Sequence, residues 1–181
     1  VFAFYLDYSD KITTVFTGEV TEDGRDIVRS ENRNKVEIYG IEAGFYWAVT
    51  DDIRSYAIVN YTRGEEQGDS GPTFPADRIP PVNGKLGLEF IFNTDWRIEP
   101  YLLFASRQDR LSPRDVRDPR IDPMGTAGWG TLNLALDWQA TTSLQLGLRL
   151  ENLGDKAYRE HASGIDAPGR NIGLWANYSF P

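Results

Sequence analysis

From Ile172 to Phe180 apolar and polar positions alternate without a slip. Ile172, Leu174, Ala176, Tyr178 and Phe180 fall on one face, and Asn171, Gly173, Trp175, Asn177 and Ser179 on the other. A period of two with one apolar face predicts a strand half buried against something oily. The rhythm recurs along the whole chain. Val1 to about Lys11 sets Phe2, Phe4, Leu6 and Tyr8 against Ala3, Tyr5, Asp7 and Ser9, and Lys35 to Val49 sets Tyr39, Ile41, Ala43, Phe45 and Trp47 against Gly40, Glu42, Gly44 and Tyr46. Ile53 to Thr62, Lys85 to Phe92, Trp96 to Arg107, Thr131 to Gln139 and Leu144 to Glu151 follow the same rule, the last with an unbroken Leu144, Leu146, Leu148, Leu150 ladder.

With the final strand, Gly169 to Phe180, that makes eight predicted strands, and their connections alternate long and short. Thr50-Asp-Asp52, Asn93-Thr-Asp95 and Ala140-Thr-Thr142 are tight turns. Thr17 to Asn34, a polar stretch with Glu22-Asp-Gly-Arg25 as a turn signal, is expected to be a long loop plus strand extensions. Gly64 to Asn83, Asp109 to Gly128 and the run from Glu151 to Arg170 are expected to be long loops, the second broken by Pro113, Pro119 and Pro123. Short turns on one side and long loops on the other mark an outer-membrane β-barrel. The last strand would then run inward and leave the C-terminus in the periplasm.

Alternation alone also fits a soluble sandwich, whose apolar faces pack on each other. Three features favour a membrane wall. Trp47, Trp96 and Trp138 fall at short-turn ends and Trp129 at a long-loop end, where aromatic girdles belong. The leucine ladder is more uniform than a jigsaw core. Glu42, Arg54, Glu89, Arg97, Glu99, Asp137, Arg149 and Glu151 share the opposite faces, and an Arg facing mid-membrane hydrocarbon would cost about 2–4 kcal/mol. They are therefore expected to face a wet or plugged lumen.

Composition narrows the field further. The 181 residues hold 13% aromatics and 17 glycines, and mean hydropathy is −0.45. No window offers the roughly 18 consecutive apolar residues of a transmembrane helix, which leaves strands of about 9–11 residues as the means of crossing. A net charge of −8 and a pI near 4.7 argue against nucleic acid, because no basic stripe is present to neutralise phosphates. With no cysteine, disulfides and thiolate metal sites are excluded. The chain opens directly in a strand pattern with no secretion signal before it, so it is expected to be a fragment or a processed chain.

The ordered motifs resemble one family. Asn152-Leu-Gly-Asp-Lys-Ala-Tyr158 before the last loop, Pro168-Gly-Arg170 opening the last strand, Asp109-Arg-Leu-Ser-Pro-Arg-Asp115 with Asp118-Pro-Arg-Ile121, and Tyr39-Gly-Ile-Glu-Ala43 are similar to the C-terminal part of a TonB-dependent outer-membrane receptor. The resemblance implies an all-β, antiparallel transmembrane β-barrel. Residues 1–181 would be the C-terminal part of the barrel domain, eight strands of a larger barrel of 22 that surrounds a plug domain absent from this sequence. It also implies active import of an iron–siderophore or similar scarce nutrient, driven by TonB through an absent N-terminal segment. Tyr178 and Phe180 would be the signal read by the barrel-assembly machinery, although Pro181 follows where the family usually ends on the aromatic. Outer-membrane lipid and lipopolysaccharide would surround the wall.

No catalytic chemistry is expected, because His161 is the single histidine and has no local orienting partner. Glu65, Glu66 and Asp69 lack the spacing of an EF-hand, and neither a metal site nor a cofactor is expected. Arg110, Arg114, Arg117 and Arg120 cluster in one long loop, and Arg159 and His161 lie in the last. They are candidates to receive an anionic ligand through charge-assisted hydrogen bonds. Asp115, Asp118 and Asp122 could instead neutralise these arginines within the loop, or lipopolysaccharide phosphates could meet them. Two other architectures stay open: a self-sufficient eight-stranded outer-membrane barrel acting as anchor or adhesin, and a soluble β-sandwich binding module.

Overall fold

The computed structural model describes residues 1–32, 35–67 and 71–180. In chain order the strands are β1 (Phe2–Tyr8), β2 (Ile12–Val20), β3 (Asp26–Asn32), β4 (Lys35–Ala48), β5 (Ile53–Gln67), β6 (Thr73–Pro75), β7 (Asn83–Phe92), β8 (Trp96–Ala105), β9 (Trp129–Gln139), β10 (Leu144–Glu151) and β11 (Asn171–Tyr178), with one short helix, α1 (Pro113–Arg117). β1, β4, β5, β7, β8, β9, β10 and β11 form one antiparallel sheet in that order, and β6 adds to the far end of β5. These are the eight strands the alternation predicts. The sheet is open, with β1 and β11 as its two edges.

The long connections hold more structure than expected. Thr17 to Asn34 falls mostly within a separate β2–β3 hairpin that turns at Gly24, whose φ of 80° suits glycine. Gly64 to Asn83 is not all loop: β5 continues to Gln67, β6 pairs with it, and β7 starts at Asn83. Asp69 and Pro181 lie outside the described residues. α1 begins with a capping box, in which Ser112 Oγ accepts from Asp115 N at 3.0 Å and Asp115 Oδ2 accepts from Ser112 N at 3.1 Å, with Pro113 opening the helix.

Register fixes which residues share a face, because directly opposed residues in an antiparallel pair point the same way. Leu86 opposes Leu102, Leu102 opposes Leu132, Leu136 opposes Leu148, and Leu148 opposes Leu174, which makes one continuous apolar surface across β7 to β11. Among the described residues no element packs on it, and Leu174 is 80% exposed. The soluble sandwich is thereby overturned, since it required these ladders to be buried against one another. Trp96 and Trp138 oppose and stack at 5.0 Å on this outer face near the short turns. Trp129 departs from the girdle expectation: it shares a face with Thr131 and Asn133, the inner one, where it packs on Tyr158.

β1 reverses the pattern of the other strands. Phe2, Phe4, Leu6 and Tyr8 oppose Glu42, Gly40, Ile38 and Val36, so its more apolar set lies on the inner face. Gly40 makes room for this, because the Phe4 ring lies where a Cβ would stand, at 2.6 Å. The same device recurs across the sheet. Gly84 opposes Phe104, Gly87 opposes Tyr56 and Gly147 opposes Trp175, and each ring covers its glycine.

The inner face is a paired charge network. Lys85 Nζ donates to Glu99 at 2.7 Å and lies over the Tyr101 ring at 4.1 Å, and Tyr56 donates its hydroxyl to the same Glu99. Arg97 reaches Asp137 at 2.5 Å and Glu89 at 3.3 Å, and Arg149 reaches Asp137 at 2.7 Å. Asp137 is 4% exposed and carries two guanidinium partners, as a buried carboxylate requires. A buried apolar cluster, Val36, Ala76 and Ile79 with Ile38 against it, forms where the chain after β6 folds back on β4.

Candidate functional site

All the long connections lie at one end of the sheet and lock together there. The last one is built on Asn152, which is buried and sits at φ 50°, in the left-handed region that Asn tolerates better than most residues. Its Nδ2 donates to the carbonyls of Lys156 at 2.9 Å and Pro168 at 3.2 Å, and its Oδ1 accepts from Lys156 N at 2.8 Å. Asn133 on β9 holds the Asn152 backbone N–H at 2.8 Å. Asp155 Oδ1 accepts from Arg170 N at 2.8 Å, which returns the chain to β11. Tyr158 then lays its ring on Trp129 at 4.2 Å. The motif residues Asn152, Asp155 and Tyr158 are thus the fastenings of the loop.

The loop carrying α1 closes at its base, where Gln108 and Thr126 exchange backbone hydrogen bonds at 3.0 and 2.9 Å. Gln108 Nε2 donates to the Ile79 carbonyl at 2.7 Å, and Arg78 N donates to Asp115 Oδ2 at 3.3 Å. The segment after β6 is therefore tied to this loop. The β2–β3 hairpin joins through Phe16, whose ring receives the Arg117 guanidinium at 4.1 Å.

The six candidate residues come to this end, each already engaged. Arg110 reaches Glu65 at 3.1 Å, Arg114 reaches Asp77 at 3.4 Å, and Arg117 lies over Phe16. Arg120 grips both oxygens of Asp118, at 2.8 and 2.6 Å, and Arg78 shares Oδ2 at 3.1 Å. The guanidinium and backbone N–H of Arg120 hold the Asp118 carboxyl well below the usual carboxylate range. Arg159 pairs with Asp166 at 2.7 Å and donates to the Arg120 carbonyl at 3.3 Å. His161 Nδ1 meets Thr126 Oγ1 at 2.9 Å, and burial lowers its pKa below the ordinary histidine value.

Among the described residues Asp115 and Asp122 do not pair with an arginine side chain, contrary to their suggested part in neutralising the cluster. Asp115 caps α1, and Asp122 receives Met124 N at 2.7 Å in a turn. Sequence reasoning missed Arg78, Asp77 and Gln108, whose partners lie some 30 to 40 positions away along the chain. A cleft of about 340 Å³ opens between the segment after β6, β8 and the last loop, lined by Pro80, Pro81, Phe104, Trp129, Glu160 and His161 among others. Among the described residues no group of three or more acidic or imidazole side chains converges in a way that could hold a metal ion.

Comparison with known proteins agrees with this architecture. The family model for "TonB dependent receptor-like, beta-barrel" matches residues 1–153. No curated protein sequence matches the chain. Among solved structures, the copper transporter OprC superposes with a TM-score of 0.79 at 21% identity, over 98% of this chain and 28% of that one. The FrpB iron transporter from Neisseria meningitidis gives 0.72 at 14% identity, over 98% and 27%. The ferric enterobactin receptor PfeA from Pseudomonas aeruginosa gives 0.68 at 16%, over 98% and 28%. The chain therefore spans under a third of the length of the structures it matches. Open edges, an unpartnered apolar outer face and a family model covering most of the sequence lead to one assignment: the chain belongs to the TonB-dependent receptor-like β-barrel family, a family of receptors rather than enzymes.

Proposed function

We propose that residues 1–181 are the C-terminal wall of a larger barrel in a bacterial outer membrane, belonging to a TonB-dependent receptor that imports a metal chelate such as an iron–siderophore. The observation that carries this reading is a single-layer sheet with a bare apolar face, a neutralised charged face and interlocked loops at one end only. Unpaired backbone at the β1 and β11 edges cannot stand in hydrocarbon, so further strands must complete the wall. This favours a larger barrel over a self-sufficient one of eight, and a wall of 22 strands around a plug is the form that the family resemblance implies.

In this reading the long connections face the exterior and the short turns and C-terminus face the periplasm. TonB acts through an N-terminal segment outside this chain. Arg110, Arg114, Arg117, Arg120, Arg159 and His161 border the entrance and receive an anionic chelate by exchanging loop carboxylates for those of the ligand. Tyr178 and Phe180 serve assembly machinery, and lipid and lipopolysaccharide cover the outer face.

Uptake of radiolabelled ferric chelates by cells expressing the whole receptor tests the reading. Uptake that disappears when TonB is deleted, with chelate binding lowered about tenfold by combined Arg120→Ala and Arg159→Ala, is the expected result. A heat-modifiable outer-membrane species of only 20.5 kDa would replace the importer with a small closed barrel.

A further inference from the structure

The last loop meets the loop carrying α1 at Arg120 and Thr126. Arg159 Nη1 donates to the Arg120 carbonyl at 3.3 Å, the Gly164 backbone lies beside the Arg120 side chain, and His161 Nδ1 meets Thr126 Oγ1 at 2.9 Å. Two polar atoms at this junction are enclosed without a hydrogen-bond partner, His161 Nε2 and Asp115 Oδ1. Asp115 is 1% exposed, and its other oxygen is committed to the backbone N–H groups of Ser112 and Arg78.

A neutral ring suits this place. With its proton on Nδ1, His161 donates to the Thr126 hydroxyl and leaves only a lone pair enclosed at Nε2. Protonation puts a charged N–H there with no acceptor within hydrogen-bond distance in the docked position, and an unsatisfied charged donor is far costlier than a bare lone pair. The groups that act on the ring are Asp115 from α1, whose charge favours the imidazolium, and Arg78 from the segment after β6, which opposes it. Glu160 is the adjacent residue, and Arg120 and Arg159 stand at the same loop contact. Burial outweighs the attraction of Asp115 and lowers the affinity of His161 for a proton.

We propose that His161 is a proton-operated latch: neutral, it fastens the last loop to the loop bearing α1, and protonated, it leaves its enclosure so that the last loop lifts away from Thr126. Lifting would widen the cleft between Pro80, Pro81 and Trp129, in which His161 is one wall. Because the docked state disfavours the proton, the fastening is complete above the ordinary histidine pKa of about 6.5 and is lost as pH falls through the lower docked value. The latch rests on the reading that this end faces the external medium, whose pH it would sense.

The test uses the whole receptor in outer-membrane vesicles. Val116 on α1 and Ile165 in the last loop are both exposed, and the 181 residues contain no cysteine, so Val116→Cys and Ile165→Cys can carry a spin-label pair after any cysteines elsewhere are replaced. Distances by pulsed electron resonance should give one narrow population at pH 7.5, and by pH 5 a longer population increased at least fivefold. His161→Gln cannot titrate and can still hydrogen-bond Thr126, so it should give the narrow population at both pH values. His161→Asn, whose amide can occupy the place of Nδ1, is the second non-titrating variant. A pH response retained in both variants, or a wild-type distance that stays fixed or shortens at pH 5, overturns the latch; shortening would mean that Asp115 captures the imidazolium. Chelate uptake by the cells from which the vesicles are prepared separates the two readings, since transport with a pH-independent loop distance leaves the importer standing and removes only the latch.

Discussion

Replacing Gly147 by Ala tests how the inner face is built. Gly147 on β10 opposes Trp175 on β11, and a Cβ there would overlap the indole, with Cζ2 at only 2.6 Å. The glycine is kept for space, because its φ lies outside the left-handed range. The added methyl must push Trp175 off the sheet and away from the Arg149 guanidinium, which stands 5.8 Å from its ring. Such overpacking costs about 1–3 kcal/mol, while Ala recovers roughly 0.5–1 kcal/mol of backbone entropy. Gly173→Ala is the internal control, on the same hairpin and the same face. Its new Cβ would meet Arg149 Cβ at 3.7 Å, an ordinary contact, so only the entropic gain applies. The entropy cancels in the comparison, and the two variants should differ by about 1–3 kcal/mol. Guanidinium unfolding of the whole receptor in vesicles, read as the heat-modifiable folded band, measures this. Trp175→Leu should recover most of the loss in the Gly147→Ala background. If Gly147→Ala is as benign as Gly173→Ala, the ring-over-glycine account of this wall is wrong.

Three further outcomes follow from the same structure. Asn152→Ala removes three side-chain hydrogen bonds and places Ala at φ 50°; at about 0.5–1.5 kcal/mol per bond the last loop should loosen by roughly 2–4 kcal/mol, seen as faster tryptic cleavage at Lys156, Arg159 and Arg170. Leu148→Arg places a charge on the outer face at a cost of about 2–4 kcal/mol and should deplete the folded band, whereas Arg149, one residue on, already faces inward beside Asp137. Asp118 is held below the ordinary carboxylate range by Arg120, so its pairing persists above the usual Asp pKa of about 3.9 and is lost only at pH well below it. Carboxyl-selective NMR should find Asp118 still ionised at about pH 3, and Arg120→Gln should return its titration towards the ordinary range; an ordinary titration in the unsubstituted protein would contradict the pairing.

Much of the fold was legible because strand faces are local. The period-two pattern located eight of the nine strands of the main sheet, all but the short β6, and the alternation of short and long connections placed the loops at one end. Two features were hidden for one reason, that each depends on a partner distant in sequence, and a third, the short helix, was hidden by its own length. The Phe2, Phe4, Leu6, Tyr8 set looks like any outer face until β4 pairs with it and offers Gly40. Trp129 looks like a girdle residue until Tyr158 arrives from the last loop. Ser112-Pro-Arg-Asp115 carried a readable capping signature, but a helix of five residues offers no apolar period to confirm it.

The candidate site divides in the same way. Composition and motif order determined a cysteine-free, acidic, strand-built member of an outer-membrane receptor family, and named the arginines that could meet an anion. The tertiary structure alone decided that Arg110 is held by Glu65, Arg114 by Asp77 and Arg120 by Asp118, and that His161 is enclosed beside Thr126. Alternation is written residue by residue because each side chain answers to its own environment across the sheet. Charge pairing between loops is set by where the paired strands deliver their ends, and no local stretch of sequence encodes that.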